Sequence, residues 1–140
     1  MTDNPSVNRC LEDKALDHVD HALGRPAWPL RDSHRNYFAT DAGGRLARAF
    51  ESSAHWRRRG TDGRLTYFQV TEEGRKALAA HLASLGLDRI FVVEFAGHQR
   101  NVPAPTASKA RYHYWLDIID VLPDVSFLTF VRRSRVRRAA

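Results

Sequence analysis

The chain has 140 residues and a mass of 16.0 kDa, which fits one medium-sized domain or two very small ones. Its 22 Lys and Arg residues outnumber 16 Asp and Glu, so the formal net charge is +6. Hydrophobic residues make up 43% of the chain. This is enough for a packed core and excludes a disordered tail, a coiled-coil rod or a collagen-like chain.

Several features of the sequence bear on its compartment. Cys10 is the only cysteine, which excludes an intrachain disulfide. No apolar run approaches the roughly 20 residues that span a bilayer. The first residues, Met-Thr-Asp-Asn-Pro-Ser, lack the basic and apolar stretches of a signal peptide. We therefore expect a cytoplasmic protein with no membrane partner, and we predict that the polar residues 1–10 form a flexible leader.

In the first half of the chain, the sequence predicts two helices with a short element between them. Apolar side chains recur at helical spacing over 11–23, and Gly24 followed by Pro26 ends that pattern. Residues 34–39 form a short element of undecided type. A second short helix is predicted over 45–53.

A β-hairpin and a third helix follow. The strands 55–59 and 65–70 flank Gly60-Thr61-Asp62-Gly63, and Asp-Gly is a strong hairpin signal. Thr71 is a suitable N-cap for a helix that ends at Gly86.

The second half combines a β-rich run with a helix. A strand is predicted over 90–95, with a turn and a returning strand as far as 102. A helix capped by Thr106 or Ser108 ends at Pro123. Residues 124–131 fit either a strand or a helix.

The element order of the first half, namely helix, short element, helix, hairpin and helix, is that of a winged helix. The run Tyr67-Phe68-Gln69-Val70-Thr71-Glu72-Glu73-Gly74-Arg75-Lys76-Ala77-Leu78 resembles the wing strand and following helix of winged-helix regulators. The resemblance implies an α+β fold with a winged-helix-like subdomain at 11–86. A strand–helix subdomain at 87–131 and an arginine-rich tail at 132–140 complete the predicted organisation.

A broader similarity extends over about two thirds of the chain. It is carried by these segments: His21-Ala22-Leu23-Gly24, Arg35-Asn36-Tyr37-Phe38, Val70-Thr71-Glu72-Glu73-Gly74, Ala107-Ser108-Lys109-Ala110-Arg111-Tyr112, Trp115-Leu116-Asp117 and Ser126-Phe127. Together they resemble short phage- and prophage-encoded proteins of unassigned function. The resemblance implies an accessory role in the cytoplasm of a bacterial host and brings no catalytic assignment.

The basic residues are concentrated in two places, on the second helix with the hairpin and at the C-terminal end. All are arginines, whose planar guanidinium matches phosphate geometry and stacks on aromatic rings. The predicted binding residues are Arg45, Arg48, Arg57, Arg58, Arg59, Arg64, Arg132, Arg133, Arg135, Arg137 and Arg138. The alternatives are a solvated tail and a wing whose arginines face an acidic protein partner.

Metal and catalytic motifs are incomplete. The spacing of Cys10, His18 and His21 is not that of a structural zinc site. Three aspartates could approach one another near the end of the last predicted helix: Asp117, Asp120 and Asp124. Without a nucleophile elbow or a phosphate loop, they give no complete active site. We therefore expect no enzymatic activity, no metal and no cofactor.

The cluster His34-Arg35-Asn36-Tyr37 could contact phosphate or a partner, but a structural role is favoured, with Tyr37 and Phe38 anchoring the core and Asn36 holding the loop. The leading hypothesis is thus a phage accessory protein that binds nucleic acid, with DNA favoured over RNA. The alternatives are an inhibitor that binds a host defence or transcription complex, and a structural virion component. Association into a homo-oligomer stays open.

Overall fold

The computed structural model describes residues 3–139 and divides into two compact units, the first ending at His81 and the second beginning at Leu82. The first unit contains α1 (Lys14–Ala22), β1 (Phe38–Asp41), α2 (Arg45–Glu51), β2 (Trp56–Asp62), β3 (Leu65–Val70) and most of α3 (Glu72–Ser84). The second contains β4 (Ile90–Phe95), β5 (His98–Pro103), α4 (Ala107–Ile118), α5 (Phe127–Arg133) and β6 (Arg135–Arg138). The fold is α+β, with two small antiparallel sheets. Within the described range, no helix combines the length and apolar character needed to cross a membrane.

The sheet of the first unit has the strand order β1-β3-β2. The central strand β3 alternates, so that Phe68 and its neighbours at every second position are buried. Phe68 lies edge-on to Phe50 of α2, and Phe50 stacks on Trp56 of β2 with ring centroids 3.9 Å apart. Phe38 of β1 completes this cluster. These aromatic contacts fix α2 against one face of the sheet.

The hairpin forms as predicted, but its tip is displaced. Asp62 pairs with Leu65, so the loop consists of Gly63 and Arg64, and Gly63 has a φ of +59°. A positive φ at the first loop position is typical of a type II′ turn, which glycine adopts without strain. The strand β2 continues to Asp62 because its backbone pairs with β3 up to the turn. The sequence does not signal this end, because β2 has no apolar alternation after Trp56.

The start of α3 confirms the predicted cap. The Thr71 Oγ1 accepts a hydrogen bond from the Gly74 N–H at 3.2 Å. A Cβ atom at Gly74 would lie 2.7 Å from the carbonyl oxygen of His55 and from Cγ1 of Val70. Gly74 therefore lets the backbone of α3 approach the hairpin.

The prediction of a flexible leader is wrong for the described residues 3–10, and residues 1 and 2 lie outside the description. Asn4 and Val7 are buried. The Asn4 side chain accepts from the Trp28 N–H at 2.9 Å and donates to the Trp28 carbonyl at 3.0 Å. Ser6 forms an isolated bridge with Pro26. The polar side chains suggested a loose segment, but in the structure they form hydrogen bonds with backbone groups at the end of α1 and in the loop after it.

The second sheet has the order β5-β4-β6 and packs on α4 and α5. The central strand β4 buries Phe91, Val93 and Phe95 against the two helices, together with the fully buried Phe130 of α5. Thr106 caps α4, as one of the two predicted alternatives, by accepting from the Lys109 N–H at 3.1 Å.

Most of the predicted arginine-rich tail is helix or strand, and its last residue, 140, lies outside the described residues. Arg132 and Arg133 form the last turn of α5, which settles the undecided segment 124–131 in favour of a helix beginning at Phe127. Residues 135–138 are strand β6, in which Val136 pairs with Val93 of β4. The partly buried Val136 and the backbone hydrogen bonds between β6 and β4 attach this segment to the sheet, so it belongs to the second unit.

The cluster around Asn36 has the favoured structural role in part. The Asn36 side chain accepts from the Val70 N–H at 2.7 Å and donates to the Val70 carbonyl at 3.1 Å, which confirms that it holds the loop. Phe38 packs in the core as predicted. Tyr37 does not: it is 49% exposed and its ring lies under the guanidinium of Arg35 at 4.4 Å.

Candidate nucleic-acid interface

The 19 arginines of the chain fall into two groups that differ in their contacts. The first group consists of arginines whose side chains are engaged within the fold by ion pairs, hydrogen bonds or aromatic rings. Its members are Arg9, Arg25, Arg31, Arg35, Arg75, Arg89, Arg100 and Arg111. Arg75, for example, donates to the Pro29 carbonyl at 2.9 Å, and Arg111 donates to the Ser134 hydroxyl at 3.1 Å. These guanidinium groups have structural roles.

The second group is the set of eleven arginines predicted to bind, and every one of them is exposed. Arg58 donates to the Thr61 hydroxyl at 2.7 Å and lies 4.0 Å from a carboxylate oxygen of Glu51. Among residues 3–139, the other ten make no side-chain hydrogen bond or ion pair. Within the described residues, no ion pair therefore neutralises these ten charges.

Six of these arginines form what we call the hairpin patch: Arg45, Arg48, Arg57, Arg58, Arg59 and Arg64. The loop of the hairpin and the start of α2 are adjacent, because the Ala42 N–H donates to the Arg64 carbonyl at 2.7 Å. The first unit thus brings the helix and hairpin arginines together. The same part of the chain, residues 41–65, contains three acidic residues, so its net charge is positive: Asp41, Glu51 and Asp62.

A β-bulge interrupts the alternation of the three consecutive arginines on β2. Arg57 lies opposite Gln69, on the sheet face that points away from the core. Arg58 lies opposite Phe68, and the register shifts between Arg58 and Gly60, so Arg59 is the extra residue. Such bulges redirect side chains. The hairpin therefore presents positive charge on more than one side of its edge strand.

The other five arginines form the C-terminal patch: Arg132, Arg133, Arg135, Arg137 and Arg138. In the strand register, Arg135 lies opposite Glu94 and Arg137 lies opposite Val92. These residues are on the sheet face opposite the one that packs on α4 and α5. A shallow groove of about 350 Å³ on this face is lined by Val92, Glu94, Gln99, Arg135, Val136 and Arg137. Arg132 and Arg133 also lie where positive charge compensates the C-terminal end of the α5 dipole.

A charge network that the sequence did not predict anchors the N-terminal segment. Arg9 pairs with Asp20, and Arg25 donates to Asp17 at 2.7 Å. The hydrogen bond from Arg25 is the largest influence on the Asp17 carboxyl and lowers its pKa from 3.8 to about 2. The pKa of His21 is lowered by burial and then by the charge of Arg35. The ion-paired residues lie 5 to 11 positions apart without a recognisable spacing, so no local pattern signals the network.

The acidic residues considered for catalysis do not gather. Asp117 accepts a hydrogen bond from Arg100 at 3.0 Å. Asp120 and Asp124 are exposed, in the segment between α4 and α5. In the part of the chain that the structure describes, no three His, Cys, Asp or Glu side chains lie close enough together to hold a metal ion.

Comparison with known proteins adds no family to this picture. The chain matched no protein-family model, no curated protein and no solved structure. The assignment of function therefore rests on the residues and their geometry.

Proposed function

We propose that this protein is a non-enzymatic nucleic-acid-binding protein that contacts phosphates through the hairpin patch and the C-terminal patch. One observation carries the proposal: eight arginines are engaged within the fold, whereas ten of the eleven clustered arginines make no internal polar contact among the described residues. Exposed guanidinium groups without acidic partners attract polyanions and bind phosphate oxygens in a bidentate manner.

The arrangement of the first unit supports a winged-helix-like use of the hairpin. Its strand order β1-β3-β2 leaves β2 of the hairpin at an edge of the sheet, and α3 follows β3 directly. One helix, the seven-residue α2, lies between β1 and β2, whereas helix-turn-helix readers use two consecutive helices. We therefore expect phosphate contacts from the hairpin to dominate over base reading by a recognition helix, which makes binding weakly sequence-specific.

The biological setting is part of the proposal. The resemblance of several segments to short phage-encoded proteins supports an accessory role during infection of a bacterial host. The resemblance of residues 67–78 to winged-helix regulators favours DNA over RNA as the polymer contacted. The net charge of +6 is compatible with either polymer.

Fluorescence anisotropy with a short labelled DNA duplex, titrated at several salt concentrations, tests the proposal. Each phosphate contact contributes about 0.9 to the slope of log K against log salt. Replacing Arg57, Arg58 and Arg59 together by Ala should weaken binding and lower that slope by about 3. The matched control replaces Lys14, Lys76 and Lys109 by Ala, which removes the same charge from exposed helical positions elsewhere. A loss that is equal in both triple variants, or no binding at low salt, contradicts the proposal.

A separate observation favours protein binding as a second function. Exposed apolar side chains occur on α4, α5 and the segment between them: Tyr112, Leu116, Val121, Leu122 and Leu128. Tyr112 also contacts Phe127 and Trp115, so the aromatic side chains form one cluster. Apolar surface of this kind is typical of protein interaction sites. It supports the inhibitor of a host complex, or a virion component that contacts a neighbouring subunit.

A pull-down from host lysate, with and without nuclease, distinguishes this second function from the first. Retention of one host protein after nuclease treatment, lost in a Leu116→Ser, Leu128→Ser variant, would favour the inhibitor. Loss of all captured protein after nuclease treatment would favour nucleic-acid binding.

A further inference from the structure

Tyr67 occupies an unusual position on the sheet of the first unit. It lies on the central strand β3, on the face opposite the buried Phe68. Its cross-strand neighbours are Ala39 on β1, which has only a methyl group, and Gly60 on β2, which has no side chain. Neither neighbour can cover the phenol ring, which is partly exposed.

The ring of Tyr67 also lacks the partners that other surface aromatics have. Arg35 covers Tyr37 at 4.4 Å, and Arg31 covers Trp28 at 4.3 Å. Within residues 3–139, no aromatic ring or guanidinium group stacks on Tyr67. Aromatic residues on sheets normally gain stability from cross-strand pairs, and glycine within a strand often marks a place where a ligand approaches closely.

The polar groups around Tyr67 are arranged asymmetrically along the strand. Gln69 is the next residue on the same face, and Arg57 lies directly opposite it. Arg59, the bulged residue, precedes Gly60. At the other end, Leu65 lies between Asp41 and Asp62, whose charges repel phosphate. A polyanion on this face would therefore carry its phosphates along the β2 side, next to Arg57 on the same face and Arg59 at the bulge of the edge strand.

We propose that this sheet face is a stacking platform for single-stranded nucleic acid, on which an unpaired base stacks on Tyr67 while Arg57 and Arg59 bind the adjoining phosphates. This inference rests on the proposed function and specifies its substrate. Bases within a duplex are stacked on each other and cannot offer a free face to a ring on a sheet. Bases of a single strand can, and the Gln69 amide can then form hydrogen bonds with a base edge.

The test compares a labelled thymidine oligonucleotide with a duplex of equal length, by fluorescence anisotropy at one salt concentration. The wild-type protein should bind the single strand more tightly. Tyr67→Ala should weaken single-strand binding by about 5- to 150-fold, since stacking on an aromatic side chain contributes about 1–3 kcal/mol per base. Its salt slope and its duplex affinity should not change, because no charge is lost. Tyr67→Phe should retain the wild-type affinity, because the ring is kept.

Two further variants keep the test decisive. Tyr67→Leu preserves an apolar side chain on β3 and removes only the ring, so it replaces Tyr67→Ala if that variant fails to fold. Leu85→Ala, which removes an exposed apolar side chain from the second unit, should leave the single-strand affinity unchanged. Equal affinity of wild type and Tyr67→Leu for the single strand, with duplex binding and its arginine dependence intact, overturns the platform alone. Absence of binding to both polymers overturns the proposed function and the platform with it.

Discussion

Arg9 and Asp20 form a buried ion pair in which Nε lies 2.8 Å from Oδ2 and Nη2 lies 2.6 Å from Oδ1. Their side chains are 2% and 0% exposed. Arg9 Nη2 also donates to the Pro26 carbonyl at 2.8 Å, so one guanidinium connects the N-terminal segment, α1 and the following loop. Arg9 thus has a structural role, whereas the exposed arginines of the hairpin patch are the ones for which binding is proposed.

Removing one partner of this pair should be strongly destabilising. Asp20→Ala leaves an unpaired guanidinium in the interior, and such losses cost about 3–5 kcal/mol. We expect the free energy of unfolding, measured by urea denaturation with tryptophan fluorescence, to fall by that amount. The control is the double variant Arg9→Met, Asp20→Leu, which removes both charges and should recover most of the stability. A single variant as stable as wild type would mean that the pair is not buried.

The ion pair between Arg25 and Asp17 predicts a dependence of stability on pH. The folded-state pKa of Asp17, about 2, is below its ordinary value of 3.8. The carboxylate therefore contributes stability that is fully present above pH 3.8 and is lost as the pH falls through about 2. Asp17→Asn should lower the free energy of unfolding at neutral pH, and its difference from wild type should close as the pH approaches 2. A difference that stays constant over this range would contradict the assignment.

Elements whose determinants are local could be predicted from the sequence. The caps Thr71 and Thr106 act on amide groups three residues ahead, and both are confirmed. The N-terminal segment and β6 could not be predicted in the same way. The partner of Asn4 is Trp28, and the partner of Val136 is Val93, so their order depends on long-range contacts.

The candidate site shows the same division between local and long-range information. Clustering along the chain selected nine arginines of the two patches, and the winged-helix resemblance added Arg45 and Arg48. Which arginines lack partners depends on where acids and carbonyls lie after folding. Tyr67 was missed for a related reason. The alternation of residues 65–70 shows that both faces carry large side chains, whereas the small neighbours Ala39 and Gly60 come from two other strands.

The close packing around Gly74 predicts that replacing this glycine by alanine, which adds a single methyl group, destabilises the protein. Alanine is normally preferred over glycine in a helix by about 1 kcal/mol. A Cβ at this position would lie 2.7 Å from the His55 carbonyl oxygen, so Gly74→Ala should instead destabilise by about 1–3 kcal/mol. Gly60→Ala is the control, because a Cβ there meets no atom within 4 Å and should change stability by less than about 0.5 kcal/mol. Thermal unfolding of the two variants measures the difference, and a stabilised Gly74→Ala protein would contradict the close approach.

The turn between β4 and β5 contains a strained alanine. Phe95 pairs with His98, so Ala96 and Gly97 form the loop, with φ values of +52° and +80°. This is the type I′ geometry, in which glycine or asparagine is preferred at both positions. Ala96→Gly should raise the free energy of unfolding by about 0.5–1 kcal/mol, since a left-handed conformation is unfavourable for alanine.

A matched substitution separates this effect from a general response to glycine. Ala80→Gly, at an exposed position of α3, should lower the stability by about 1 kcal/mol. Chemical denaturation of both variants compares them directly. If Ala96→Gly is destabilised as much as Ala80→Gly, the turn does not have the left-handed geometry described.

The central claim is that the clustered arginines bind nucleic acid, and the salt dependence of DNA affinity tests it most directly. Binding of the wild-type protein to DNA should weaken steeply with salt. The variant with Arg57, Arg58 and Arg59 replaced by Ala should show a slope lower by about 3, while the variant with Lys14, Lys76 and Lys109 replaced by Ala keeps the wild-type slope. An unchanged slope in the arginine variant, or no binding of the wild type at low salt, would contradict the claim.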